Sequence, residues 1–354
     1  MSDQPPREMA EAVRLALEHF PVDVERIEFV LASENTTYRV TSTDAAAYAL
    51  RVHRPGYHTL AELESENAWT GGLAAAGIAT PRPLATRAGA GYATVPYGSD
   101  GDVRHVGMIE WLDGASLEDV LEEGSGDLVA IFGELGALIG RMHAHAERWE
   151  RPDGFVRHRL DVDGLLGDAP FWGPFWDVPE LSPRQRDLVL DMRVQLGAAL
   201  HAYGTEGDRF GLIHSDLLPP NLLVRADGSV AAIDFDDTAY GWFLYDIAVA
   251  LFEVSTDPRY DAFRAALVAG YRAERALTDD ELARLPIFVL VRCLAEIGWF
   301  DSRLEGHLTY HRGGQGVSRE SLITPLVRQA FELWDEVRPL LAARETRLDA
   351  ATGA

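Results

Sequence analysis

Apolar positions near the start of the chain (Met9, Val13, Leu17 and Phe20) recur at close to helical spacing and predict a short amphipathic helix over 8–20. From residue 27 to about 53 the texture changes. IEFVL, TYRV and YALRVH are β-branched and aromatic runs separated by polar ASENT and TSTDAA, and they read as strands. A stretch rich in Ala, Leu and Glu over 60–76, ended by Gly77, reads as a helix, and strand-like runs return at 92–97 and 104–112. Beyond Gly114 the pattern is mostly helical, with long apolar helices expected over 127–146 and 184–203. Between them, 150–183 is rich in Pro, Trp, Phe and Gly with weak periodicity, and a loop of that length is usually functional or poorly ordered. Short strands are expected at 211–213, 222–225 and 230–234, then helices at 243–255, 259–274, 279–300 and 318–343. The pattern describes an α+β chain: a small β-rich lobe over 1–112, then a mainly helical lobe over 113–354 with a small β patch.

The length of 354 residues agrees with two lobes, and 47% apolar with 25% charged residues is ordinary for a globular chain. A single cysteine, Cys293, rules out an intramolecular disulfide and a Cys-based zinc site. The N-terminus lacks the basic flank and apolar core of a signal peptide, and no apolar stretch is long enough for a span, so a cytoplasmic protein is expected. Charge changes the picture more. Against 56 acids stand 32 bases, every one an arginine, for a net charge of −24. Such a surface repels nucleic acid and anionic membrane and attracts cations. Without lysine, any cation that binds phosphate must be a guanidinium.

The chemistry concentrates in GLIHSDLLPPNLLVRADGSVAAIDFDD, residues 211–237. Asp216 follows His214 and Ser215; Asn221 comes five residues after Asp216, and Asp234 eighteen after it. Two short strands joined by a turn at Asp227-Gly228 would present their polar ends together. Two acids and an amide in one small volume suit phosphoryl transfer from a nucleotide. Asp216 would receive or orient the proton of an attacking hydroxyl, while Asn221 and Asp234 would hold Mg²⁺ through oxygen.

HSDLLPPN with IDFDD resembles the aminoglycoside phosphotransferase family, which includes choline kinase, type II homoserine kinase and stress response kinase A. The resemblance implies a protein-kinase-like fold of two lobes, with ATP as co-substrate. It makes Asp216 the catalytic aspartate and Asn221 and Asp234 the metal ligands, and it places His214 and Asp246 as structural supports of the catalytic loop. Arg51, in ALRVH, stands where kinases usually carry lysine, and Glu66 looks like its ion-pair partner, with Glu62 and Glu64 as competitors and Arg54 as a weaker competitor for the cation. The loop Ala32–Thr37 has no glycine, but Glu34-Asn35 before Tyr38-Arg39-Val40 resembles the family's phosphate loop, with Ser33, Asn35 and Thr36 near the phosphates. MIEWLDG resembles the hinge that holds adenine through backbone groups at Glu110 and Leu112.

The acceptor end is less defined. Asp236, Asp237, Trp242 and Trp299, with Tyr245, Asp301 and the aromatic loop Phe171, Trp172, Phe175 and Trp176, are candidates to meet a cationic or polyhydroxylated acceptor; the aromatic residues equally suit pinning a long loop to the core. Three functions stay open: a kinase of small hydroxylated molecules such as amino alcohols, sugars or aminoglycosides, a protein kinase of the stress response kinase A type, and a weakly active nucleotide-binding regulator. The intact Asp216, Asn221 and Asp234 argue against the third, and the absence of an A-P-E signal favours the first over the second.

Overall fold

The computed structural model describes residues 7–32, 35–304, 311–312, 315–316 and 318–352. In chain order the elements are α1 (Arg7–Leu17), β1 (Val24–Ala32), β2 (Thr36–Ser42), β3 (Ala47–Val52), α2 (Leu60–Ala75), β4 (Tyr92–Tyr97), β5 (Asp102–Glu110), β6 (Ala115–Ser116), α3 (Leu117–Glu123) and α4 (Leu128–Arg148). There follow β7 (Arg159–Leu160), α5 (Val162–Leu166), α6 (Pro183–Tyr203), β8 (Phe210–Ile213), a 3-10 turn at Pro219–Asn221, β9 (Leu222–Val224), β10 (Val230–Ala232) and β11 (Ala239–Trp242). The chain ends with α7 (Phe243–Phe252), α8 (Tyr260–Glu274), α9 (Asp279–Leu282), α10 (Leu285–Leu304), the short pair β12 (His311–Arg312) and β13 (Gln315–Gly316), and α11 (Arg319–Thr352).

The residues fall into two compact units: Met1–Gly126 with Arg148–Arg157 and Pro220–Asp236, and Asp127–Glu147 with His158–Pro219 and Asp237–Ala354. The first unit therefore runs past residue 112 and takes back two later segments. Its main sheet has the order β1-β2-β3-β5-β4, antiparallel throughout. Alternation sorts the side chains. Tyr38, Val40, Leu50, Val52, Val106 and Met108 point to one face and form a core with Ala12, Val13, Ala16 and Phe20 around α1. Directly paired Thr37, Arg51 and Gly107, and next to them Arg39, Ala49 and Ile109, occupy the other face. The hairpin β9–β10 joins β6 in a three-stranded sheet and is tied to the main body by the Ala232 N–H, 3.1 Å from the Ala79 carbonyl. A capping box between Thr59 and Glu62 starts α2.

In the second unit β7, β11 and β8 form a small sheet that leads straight into α7, every residue of which is buried. Its sequence FLYDIAVALF is apolar on all sides, as a helix enclosed by others must be. Helices α4 and α8 touch at glycine: a Cβ on Gly136 would lie 1.9 Å from the Leu267 carbonyl oxygen, and one on Gly270 2.0 Å from that of Gly133. The aromatic stretch between α4 and α6 is fixed, not loose. Trp172, Phe175, Val178 and Leu181 are buried, and Arg186 donates to the carbonyls of Trp176 and Val178. Several details differ from the sequence expectation: the short strands β6, β7, β12 and β13 and the short helix α5 were not expected. Strand β11 was not expected, because AYGW is too short to show alternation, and the helix expected over 279–300 is two helices, with a break at Ala283-Arg284. Among the described residues no helix is long and apolar enough to cross a membrane.

The glycine contact sets a prediction. Gly136→Ala forces backbone apart and is expected to lower unfolding free energy by about 1–3 kcal/mol, read by urea denaturation; Gly197→Ala, whose Cβ meets nothing closer than 3.8 Å, serves as the control with little change.

Candidate active site

In the first unit the sheet face opposite the α1 core carries one buried cation among three acids. Arg51 is 8% exposed. Its Nη2 lies 2.6 Å from Asp234 Oδ1 and 3.9 Å from Asp236 Oδ1, and its Nη1 donates to Glu66 Oε1 at 3.4 Å. Glu66 is thus the carboxylate on α2 that meets Arg51. Glu62 is taken by the capping box, and Glu64 accepts the Gly91 N–H at 3.1 Å. Arg54 lies over the Tyr57 ring.

Asp236 is enclosed. Asn35 Nδ2 donates to its Oδ2 at 3.1 Å and His53 Nδ1 stands 3.4 Å from its Oδ1. Burial alone would raise its pKa, but His53 and Arg51 outweigh that and hold the carboxyl below the usual range. Burial opposes the charge of Arg51, and Asp234, Asp236 and Glu66 more than offset it, so the guanidinium stays protonated. Glu66 goes the other way: burial first, then the neighbouring charge of Asp236, push it up to about 8. Burial lowers His53, and it lowers His58 to about 4.

Asp234 is the open member of the group, its side chain 44% exposed, and it sits in the left-handed region with φ 62° just after β10. The Ile233 N–H donates to the Asn221 carbonyl at 2.9 Å, which sets Asn221 beside the same strand end. The carboxylate of the one and the amide carbonyl oxygen of the other are the hard donors that a divalent cation takes, so the chemistry of these two residues fits such an ion.

The second unit holds the loop His214-Ser215-Asp216. Asp246, at the start of α7 and fully buried, accepts the His214 N–H at 2.9 Å and the Ser215 N–H at 2.6 Å. Its Oδ2 also lies 3.0 Å from His143 Nε2. Burial lowers the pKa of His143, so the ring is neutral; Nε2–H donates to Asp246 and Nδ1 accepts from the Tyr271 hydroxyl at 3.0 Å. Ser215 has φ 65° and donates its hydroxyl to the Asp237 carbonyl at 2.6 Å. The Asp216 N–H donates to His214 Nδ1 at 3.3 Å. Arg292 on α10, 6% exposed, places Nη2 at 3.7 Å from Asp216 Oδ1 and 2.5 Å from Glu296 Oε1.

Arg51, Glu66, Asn35, Asn221, Asp234 and Asp236 are thus gathered in the first unit, and His214, Asp216 and Asp246 in the second. Asn35 is nonetheless buried, with Nδ2 on Asp236 and Oδ1 accepting the Arg54 N–H, so its amide serves the protein instead of facing a phosphate. Thr36 is half-buried in β2, Glu110 ends β5 with its N–H on the Arg82 carbonyl, and Leu112 is half-buried just beyond. Ser33 lies outside the described residues. Two acceptor candidates are corrected. Trp242 is 0% exposed, packs on Phe210 and Phe288 and donates Nε1–H to the Gly204 carbonyl: it is core. Asp236 is committed to the Arg51 group. Asp237 is half-buried, and Trp299 is half-buried with Arg303 over its ring. Sequence reasoning missed Arg292 and its partner Glu296, although a charged i,i+4 pair inside the apolar run VLVRCLAEI is a visible signal. It placed His143 in the core without its bond to Asp246.

A β-sheet carrying a carboxylate-held cation, followed by an HSD loop anchored on a buried helix, is the framework of a kinase-like phosphotransferase. The pattern of the phosphotransferase enzyme family (APH) matches residues 27–284, and the chain belongs to that family. Among solved structures it is similar to a microcompartment-associated aminopropanol kinase, with 31% identity, TM-score 0.75, and 94% of this chain and 98% of the other covered. Relatives by sequence include the amicoumacin kinase of Bacillus subtilis, 25% identical over 76% of this chain and 77% of that protein. The homoserine kinase of Rhizobium etli is 28% identical over 71% of each. The chain is a phosphotransferase that acts on hydroxyl groups, in a family of small-molecule kinases.

The raised Glu66 predicts a pH effect. Between about 6.5 and 8 the folded protein holds a proton on Glu66 that the unfolded chain has lost, so stability falls as pH rises through that window. The buried histidines, lowered from 6.5, act below it with the opposite sign. Thermal or urea unfolding from pH 6.5 to 8.5 should show wild type losing about 2 kcal/mol and Glu66→Gln staying flat.

Proposed function

We propose that the protein is an ATP- and Mg²⁺-dependent kinase of a small hydroxylated acceptor, with amino alcohols first among the candidates. The observation that carries the reading is Arg51, a buried guanidinium held by Glu66 and reaching Asp234. The likeness to an aminopropanol kinase over nearly the whole of both chains supports the acceptor class. The open Asp216, with Arg292 beside it, supports the site of transfer.

In this reading Arg51 binds phosphate oxygens with its planar fork, and Glu66 fixes the guanidinium on the far side. Asp234 and Asn221 hold the divalent cation, which when bound offsets negative charge on the phosphates. Glu110 and Leu112 offer backbone groups to the base, and Thr36 lies at the phosphate loop. Asp216 orients the acceptor hydroxyl and takes its proton as the oxygen bonds to the γ-phosphorus. The bond between that phosphorus and the β–γ bridging oxygen breaks, and ADP leaves with the electron pair. Arg292 holds the Asp216 carboxylate in place.

The test is ATP consumption with a panel of amino alcohols, homoserine, sugars, aminoglycosides and a generic protein acceptor. One class of small acceptor should stand out, and a response confined to protein would overturn the reading. Asp216→Asn should lower turnover by about 10²–10⁴-fold with AMP-PNP binding retained; normal turnover in that variant would remove Asp216 from its role. Asp234→Ala should weaken binding of the Mg²⁺–nucleotide and its metal dependence together.

A further inference from the structure

Helix α2 carries Glu66, and nothing in its own sequence decides where that helix stops against the sheet. The residues that fix it come from far along the chain. The segment Arg148–Arg157 follows α4, yet it belongs to the first unit. Its Val156 N–H donates to Ser65 Oγ at 2.9 Å. Arg157, 5% exposed, donates Nη1–H to the Glu62 carbonyl at 3.1 Å and Nη2–H to the Asp236 carbonyl. The Glu62 carbonyl is the one facing the Glu66 N–H in the helical ladder. One guanidinium therefore bonds α2 a single turn before Glu66 and, with its other nitrogen, the backbone of the segment that carries Asp234. The circuit closes through Glu66, Arg51 and Asp234. Arg157 is also a second buried cation, bonded to the backbone of Asp236, where the carboxylates of Asp234 and Asp236 outnumber Arg51.

We propose that Arg157 is a positioning residue which locks α2 where Glu66 meets Arg51, so that the nucleotide-binding face is assembled by the fold itself and needs no switching event. The proposal rests on the reading of Arg51 as the phosphate-binding cation. Arg157 bonds backbone carbonyls, so it acts through the placement of Glu66 and Asp234 and not by touching a nucleotide.

A double-mutant cycle on the full chain tests it, with the Kd for Mg²⁺–AMP-PNP as the readout and the melting temperature as control. Arg157→Ala and Glu66→Ala, which removes the acceptor of Arg51 altogether, are each expected to weaken binding by about tenfold, and the double variant by no more than about twofold beyond the worse single one. Independent effects, which would multiply to about a hundredfold, overturn the proposal, as does unchanged binding in Arg157→Ala. If Arg157→Ala does not fold, Ser65→Ala takes its place, since it removes the acceptor for Val156 together with the hydroxyl's own bond to the Ala61 carbonyl; it should weaken binding by about twofold or more in wild type and not at all on Glu66→Ala. Wild-type protein that binds no Mg²⁺–AMP-PNP would bring down the functional reading, and the proposal with it. Wild type that binds while the cycle is additive brings down the proposal alone.

Discussion

A guanidinium buried among carboxylates is the constraint on which the first unit depends. Arg51 sits on an inner strand with almost no access to water, and a charge there persists only if acids surround it. Three do: Glu66 from α2, Asp234 from the end of β10 and, further off, Asp236. They come from α2 and from the segment that follows β10, so pairing the cation brings helix, sheet and hairpin to one place. The fork of arginine matters because Glu66 and Asp234 meet different nitrogens of the same group, which a single ammonium could match only with different geometry. In a chain without lysine, that is the available way to build such a centre.

The second unit solves a related problem with an anion. Asp246 is fully buried and takes two backbone N–H groups of the HSD loop and the ring of His143. Those bonds hold Ser215 in a left-handed conformation that a serine would not choose, and the following residue is Asp216. Asp234 shows the same backbone strain at the first unit's open carboxylate. Among the described residues three non-glycine positions have positive φ; two adjoin or are the proposed reactive groups, and the third, Ala45, lies in the turn between β2 and β3. Strain at these points is kept because buried bonds on either side over-determine it.

Much of this was legible in the sequence, for identifiable reasons. The main strands and long helices announced themselves through periodicity, and the spacing of Asp216, Asn221 and Asp234 pointed to the hairpin that places the last two. Glu66 was named as the partner of Arg51, where the structure puts it. What escaped was long-range. Arg157 looks like any arginine in a polar segment until its donors are seen on Glu62 and Asp236. Trp242 looked like a substrate platform because its neighbours in sequence are near the reactive loop, but sidedness placed its indole in the core. Asn35 sat in a loop resembling one that covers phosphates, and only the fold shows its amide turned inward onto Asp236.

A crystal structure of the protein with Mg²⁺ and AMP-PNP is the decisive measurement. Arg51 is expected to exchange its bond to Asp234 for phosphate oxygens while keeping Glu66, and Asp234 and Asn221 to turn to the metal. Phosphates bound away from Arg51, with its bond to Asp234 intact, would contradict this.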